Sequence, residues 1–133
     1  MNTVFADSYY YLALLNPRDA AHAMAVDISR SLRSKVITTG FVMIEIGDAM
    51  GKAHQRAHFL TLLQKLLTDP EVTVLPPTGD LYEAGIRLYR SRPDKDWSLT
   101  DCISFDIMER FGLKDALTGD QHFQQAGYQA LLL

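Results

Sequence analysis

The stretch WSLTDCISFDIMERFGLKDALTGD, residues 97–120, predicts a helix followed by a short strand. Ser98 stands three residues before Asp101, the spacing of a helix N-cap answered by an acid in the first turn. Apolar residues then recur at helical spacing, and Gly112 can end the helix in the left-handed conformation. The acids Asp101 and Asp120 are thus placed at the ends of neighbouring elements.

The composition bounds what the rest of the chain can form. With 133 residues, 47% of them hydrophobic, we expect residues 1–133 to form a single domain with one core. The apolar runs are too short to cross a bilayer, and no basic region followed by an apolar core opens the chain. The single cysteine, Cys102, cannot form an internal disulfide, which fits a reducing compartment. We therefore expect a cytoplasmic protein that does not bind membranes.

The net charge argues against one class of function. A formal charge of −3 and a pI near 5.7 do not suit a protein that holds nucleic acid by bulk positive charge. They leave room for a local site, because a carboxylate cluster that holds a divalent metal would itself lower the pI.

Outward from residues 97–120, short apolar strands alternate with helices. Asp19 can cap the second helix. Strands are predicted at residues 3–6, 36–38, 72–75, 116–118 and 129–133, with helices at 8–15, 20–33, 40–51, 55–68, 80–91, 98–111 and 122–126. This alternation predicts a three-layer α/β/α sandwich around a parallel sheet of four to five short strands.

Four acids fall where such a sheet gathers functional groups. Asp7 and Asp120 each follow a strand, Asp101 opens a helix, and Glu45 lies one to two turns into the helix after the second strand. Because functional groups collect at the carboxyl ends of parallel strands, we expect the four to converge on one edge. Helix capping is the alternative for each aspartate taken singly. Glu45 stands among apolar residues and needs a partner such as a metal ion.

Four segments carry a resemblance to a known family. They are VFADSYYYLALLN, TTGFVMIEIGDAM, SLTDCISFDIMERFG and ALTGDQHFQQAGY, and they resemble, in order, the four acidic motifs of the PIN-domain family. That family includes the VapC-type toxins of bacterial toxin–antitoxin pairs, and the resemblance leaves open whether the chain is such a toxin or a solitary PIN-domain protein. The resemblance implies a Rossmann-like fold and a metal-dependent endoribonuclease that hydrolyses RNA phosphodiester bonds. On the matching positions, the catalytic and metal-binding acids would be Asp7, Glu45, Asp101 and Asp120.

The four acids and the family resemblance also imply a cofactor and partners. Hard carboxylate oxygens suit Mg²⁺ or Mn²⁺. We expect Asp7 and Asp101 to anchor the main ion, with Asp120 and Glu45 completing the site. The partners implied are an RNA substrate and an antitoxin protein, and we expect a homodimer if apolar side chains stay exposed on the leucine-rich helix near residues 59–67.

Further residues are weaker candidates for contact with the substrate. Ser98 and Thr100 flank Asp101, and His122 lies two residues past Asp120; capping and ordinary surface exposure are the alternatives. Arg92 belongs to a basic set that leads into Trp97, which could stack on an unpaired base. The basic set consists of Arg87, Arg90, Arg92 and Lys95.

Two other functions compete with cleavage. A PIN-like module that binds RNA or protein without cutting has no need to crowd four acids. A phosphoacceptor receiver domain requires a paired acid near the first strand and a lysine after the last, and the chain has neither. His54 and His58 have the spacing of a zinc pair on one helix face, but no further ligand pattern accompanies them, which favours a solvated surface.

Overall fold

The computed structural model describes residues 2–133. Within them, five strands form one parallel sheet in the order β3-β2-β1-β4-β5. The strands are β1 (Thr3–Ala6), β2 (Lys35–Thr39), β3 (Val72–Leu75), β4 (Asp115–Leu117) and β5 (Gln129–Ala130). The predicted α/β/α sandwich is confirmed.

Seven helices flank this sheet in the described residues. They are α1 (Ser8–Leu15), α2 (His22–Ser31), α3 (Gly40–Ala49), α4 (Arg56–Thr68), α5 (Gly79–Ser91), α6 (Leu99–Arg110) and α7 (Gln121–Gln125). In the part of the chain described, none of these helices has the length and apolar character needed to cross a membrane.

The strand order puts β1 at the centre, between β2 and β4. Val4, Phe5 and Ala6 are at most 2% exposed, because a central parallel strand is covered on both faces and along both edges. Ala6 also accepts a buried hydrogen bond at 2.8 Å from Thr38 Oγ1, which ties the carboxyl ends of β1 and β2 together. The residue that follows β1 therefore starts from a rigid position.

Helix α6, within residues 97–120, begins where the spacing of Ser98 and Asp101 predicts. The Asp101 backbone N–H donates to Ser98 Oγ at 3.0 Å, and the Ser98 N–H donates to Asp101 Oδ2 at 3.3 Å, which completes a capping box. Gly112, at a φ of 63°, leads the chain out of α6 in the left-handed conformation.

The second helix begins later than predicted. Asp19 does not cap it: α2 starts at His22, and its N-cap is Ala21. The Asp19 carboxylate instead accepts the Ala21 N–H at 2.9 Å, which stabilises a turn before the helix. A capping residue and a turn-forming aspartate share the same short-range sequence pattern, so the pattern misplaced the helix start by two residues.

Helices α5 and α6 pack tightly against each other. Gly85 of α5 lies against Ile103 of α6, where a β-carbon would stand 2.2 Å from Ile103 Cγ1. Glycine is therefore required at this position for steric reasons.

We expect Gly85→Ala to destabilise the protein by about 1–3 kcal/mol, because the added methyl group forces α5 and α6 apart. Chemical denaturation measures this change. Gly79→Ala, in the first turn of the same helix with nothing within 4 Å, is the matched control and should be close to neutral. Adding Ile103→Ala to Gly85→Ala should recover part of the loss; a purely additive double variant would contradict the packing argument.

Candidate active site

The carboxyl edge of the sheet brings the four predicted acids to one cavity of about 360 Å³. Asp7 follows β1, Asp120 follows β4, Asp101 lies in the first turn of α6, and Glu45 lies midway along α3. The same cavity is also lined by Ser8, Tyr9, Leu12, Asp96, Ser98 and His122. Acids from four distant parts of the chain thus share one space.

Asp7 is the most deeply placed of the four. Its side chain is 5% exposed, accepts a hydrogen bond from Thr118 Oγ1 at 2.8 Å, and makes no side-chain capping bond to α1. Burial raises the pKa of Asp7 to about 7, although the Thr118 hydrogen bond lowers it, and the negative charges of Asp101 and Glu45 raise it further. Helix capping therefore does not account for this side chain.

Asp101 and Asp120 both cap helices and line the cavity. Asp101 takes part in the capping box of α6, and Asp120 Oδ1 accepts the His122 N–H at the start of α7 at 2.9 Å. Burial and the charge of Asp120 raise the pKa of Asp101, while its contacts with the Ser98 N–H and His122 lower it. For these two acids, capping and membership of the cluster are compatible.

Glu45 is half-buried, and its partner in the structure is Ser8. The Ser8 hydroxyl donates to Glu45 Oε1 at 3.0 Å, which links α1 to α3 across the cavity. Burial raises the pKa of Glu45; the Ser8 hydrogen bond lowers it, and the charges of Asp101 and Asp120 raise it. The apolar surroundings expected from sequence are incomplete, because the neighbouring Ile44 is 53% exposed.

His122 lies closer to the acids than its sequence position suggested. Its Nδ1 is 3.3 Å from Asp101 Oδ2 and 3.3 Å from Asp120 Oδ1. Single ligand atoms from these three side chains lie within 4.8 Å of one another, the one group of this kind among residues 2–133. Two carboxylates and an imidazole at this spacing could hold a divalent cation. From the sequence we expected Asp7 and Asp101 to anchor the main ion, with Asp120 and Glu45 completing the site.

The remaining candidates for contact with the substrate differ in whether they line the cavity. Ser98 lines the cavity with its hydroxyl engaged in the α6 cap, and Thr100 does not line it. Trp97 is 6% exposed and packs edge-on against Phe105 at 5.0 Å between centroids, so little of its ring is free to stack on an RNA base. Arg92 also lies outside the cavity, paired with Asp94 at 2.9 Å.

The sequence reasoning missed four residues of the cavity, which are Ser8, Tyr9, Leu12 and Asp96. Asp96 lies in the polar loop before α6, one residue from the buried Trp97, and an extended chain would put Asp96 and Ser98 on the opposite side from Trp97. That alternation was a usable signal. Tyr9 packs over Gly119, where a β-carbon would meet its ring at 2.5 Å, and no local pattern indicates this contact.

Comparisons with known proteins give close matches over nearly the whole chain. No family model matches it. The 23S rRNA-specific endonuclease VapC20 of Mycobacterium tuberculosis is 28% identical over 126 residues, which cover 94% of this chain and 95% of that protein. The crystal structure of M. tuberculosis VapC20, described as a sarcin-ricin loop cleaving toxin, superimposes with a TM-score of 0.85 at 25% identity, over 94% and 95% of the two chains.

A more distant solved structure shares the fold alone. VapBC2 from Rickettsia felis, bound to a DNA fragment from its promoter, matches with a TM-score of 0.67 at 8% identity over 96% of both chains.

We expect Asp7→Asn to stabilise the metal-free protein at about pH 8 by on the order of 2 kcal/mol. The pKa of the Asp7 carboxyl rises from 3.8 to about 7 on folding. Protonation of Asp7 therefore stabilises the folded protein fully below about pH 4, and this stabilisation is lost as the pH rises to about 7. The advantage of the variant should therefore vanish near pH 4. Urea denaturation in chelator at several pH values measures it.

Asp115→Asn is the matched control for this experiment, because it removes an acid at the amino end of β4, on the opposite edge of the sheet. Its effect should stay within about 0.5 kcal/mol at every pH. A gain for Asp7→Asn that does not change with pH would contradict the burial of a titrating carboxylate.

Proposed function

Since this chain is related over nearly its whole length to the VapC-type PIN-domain proteins, we propose that it is a divalent-metal-dependent endoribonuclease that hydrolyses RNA phosphodiester bonds. The relative VapC20 is an endonuclease specific for 23S rRNA. By extension, ribosomal RNA is the first substrate to test here. The toxin of a toxin–antitoxin pair is the biological role that this relationship supports.

The observation that carries the proposal is the convergence of four acids from β1, α3, α6 and β4 on one cavity. Folding places them together against their mutual repulsion, and burial further disfavours their charged forms. Such an arrangement is costly for the fold unless a cation is bound. A module that only binds RNA gains nothing from this cost.

The donor set fits a hard or borderline divalent cation. Asp101, Asp120 and His122 would hold it, and Asp7 and Glu45 would complete the site from the other wall of the cavity. Carboxylate oxygens suit Mg²⁺ or Mn²⁺, and the imidazole nitrogen favours Mn²⁺ of the two. When bound, the ion supplies an activated water and neutralises charge on the phosphate and the leaving oxygen.

The protein's own groups position this chemistry. Thr118 fixes the carboxylate of Asp7, and Ser8 fixes that of Glu45, so both acids are oriented before anything binds. The capping bonds of Asp101 and Asp120 tie those carboxylates to the first turns of α6 and α7. Groups held by neighbours in this way lose little freedom when the reacting phosphate arrives.

The exposed apolar side chains support a protein partner. Ile44, Leu60 and Leu67 on α3 and α4 are 53%, 59% and 60% exposed. We propose that this surface is covered in a homodimer or by an antitoxin, as the leucine-rich sequence of α4 led us to expect. A solved toxin–antitoxin complex from Klebsiella pneumoniae shares the fold at 15% identity, with a TM-score of 0.63. The cytoplasm is the compartment in which RNA and such a partner would meet the protein.

Asp101→Asn should weaken Mn²⁺ binding by at least about tenfold, because it removes one anionic ligand and leaves the helix cap in place. Isothermal titration calorimetry measures the affinity without any RNA. Asp115→Asn, remote from the cavity, should bind Mn²⁺ like the wild type. Equal affinity in wild type and Asp101→Asn would rule out Asp101 as a ligand.

Wild-type protein should cleave labelled single-stranded RNA and 23S rRNA fragments with Mn²⁺ or Mg²⁺ and not with chelator. Asp101→Asn should lose at least about a hundredfold in rate, because the metal and the phosphate are no longer aligned. Gel analysis of end-labelled RNA measures both. RNA that is bound but never cut, in any metal, would favour the binding module over the nuclease.

A further inference from the structure

A second groove, of about 540 Å³, lies beside the acidic cavity, between the end of α5 and the loop that leads into α6. It is lined by Tyr89, Arg90, Arg92 and Lys95, and the largely buried Trp97 also contributes to its lining. The groove thus combines three cations with an exposed aromatic side chain, whereas the neighbouring cavity is lined by acids.

One short segment separates the groove from the cavity. Lys95 and Trp97 line the groove, and the residues that alternate with them, Asp96 and Ser98, line the cavity. Residues 95–98 are therefore a wall shared by both spaces. An RNA strand that runs along the surface from the cavity can enter the groove by crossing residues 95–98.

The groove is fixed by contacts within its own wall. The Arg92 guanidinium lies 5.1 Å from the Trp97 ring centroid and donates two hydrogen bonds to Asp94, at 3.0 and 2.9 Å. Arg92 is therefore occupied in holding the loop. Lys95 lies over the same ring, with Nζ at 5.8 Å from the centroid. Within residues 2–133, neither Arg90 nor Lys95 forms an ion pair.

The charge of the cavity explains why such a groove is needed. Asp7, Glu45, Asp96, Asp101 and Asp120 surround the place where a phosphodiester would react. A bound divalent ion offsets only part of this charge, so the cavity by itself attracts a polyanion weakly. Affinity for RNA has to come from cations close by, and Arg90 and Lys95 are the unpaired cations nearest along the chain to the wall of the cavity.

We propose that this groove binds the single-stranded RNA that flanks the cleaved bond. Arg90 and Lys95 pair with its phosphates, and Tyr89, which is 53% exposed, stacks on an unpaired base. This role rests on the proposed nuclease function and adds to it the position of the RNA strand beside the cavity. It replaces Trp97, whose ring is covered, with Tyr89 as the stacking residue.

Fluorescence anisotropy with a labelled single-stranded RNA of mixed sequence, in chelator, measures binding without cleavage. Arg90→Ala with Lys95→Ala should lower affinity by about tenfold and make the dependence of log affinity on log salt shallower by about 1.4, since two phosphate contacts are lost. Tyr89→Ala should lower affinity about fivefold, and Tyr89→Phe should bind like the wild type because the stacking face is kept.

Arg30→Ala with Arg33→Ala is the control, because it removes the same charge from exposed positions in and just after α2. It should change affinity less than about twofold. Thermal unfolding of each variant checks that the fold is intact. An equal loss of affinity in this control would show an effect of net charge alone and would overturn the groove assignment.

Cleavage of the same RNA with Mn²⁺ separates the two proposals. Groove variants with a raised KM and an unchanged kcat support both the RNA-binding groove and the nuclease function. A wild type that cleaves, with groove variants of unchanged KM and affinity, refutes the groove and leaves the nuclease intact. Groove variants that lose RNA binding in a protein that never cleaves support the groove and refute the nuclease.

Discussion

The hydrogen bond from Thr118 Oγ1 to Asp7 Oδ2, at 2.8 Å, joins the ends of the central strands β1 and β4 inside the protein. It gives a buried carboxylate one firm partner, but it does not compensate the loss of water, and the pKa of Asp7 stays near 7. The other acids at this edge add their charges to the same space. The fold therefore builds a site whose stability depends on positive charge taken up from outside, as protons or as a cation.

Apolar packing behind the acids offsets the free energy lost by burying the carboxylates close together. The Phe105 ring meets Trp97 at 5.0 Å and Phe123 at 4.9 Å between centroids, both edge-on, which connects α6, the loop before it and α7. Asp101 and Asp120 stand at the starts of the two helices that this aromatic cluster joins. The positions of Asp101 and Asp120 are thus set by helices that pack against a common aromatic cluster.

The sequence revealed most of the fold, because alternating apolar strands and helices are local patterns. The strand ends then located Asp7 and Asp120, and the resemblance to VapC-type proteins is confirmed by relatives. Single side chains were harder to predict. Asp19 forms a turn where a cap was expected, because both uses of an aspartate share one short-range pattern. Trp97 is buried because Phe105 of α6 covers its ring, which is a tertiary contact that the local sequence does not indicate.

The pairing of β1 with β4 has a consequence for the time at which the site comes into existence. Asp7 and Thr118 are 111 residues apart, so at ordinary rates of protein synthesis roughly 5 to 20 seconds separate their appearance. During that interval β1 lacks its neighbour β4, and Asp101 and Asp120 are the last of the four acids to be synthesised. The complete set of four acids therefore exists only after nearly all of these residues have been synthesised, and a product truncated before residue 120 lacks Asp120 and cannot form the whole acidic cavity.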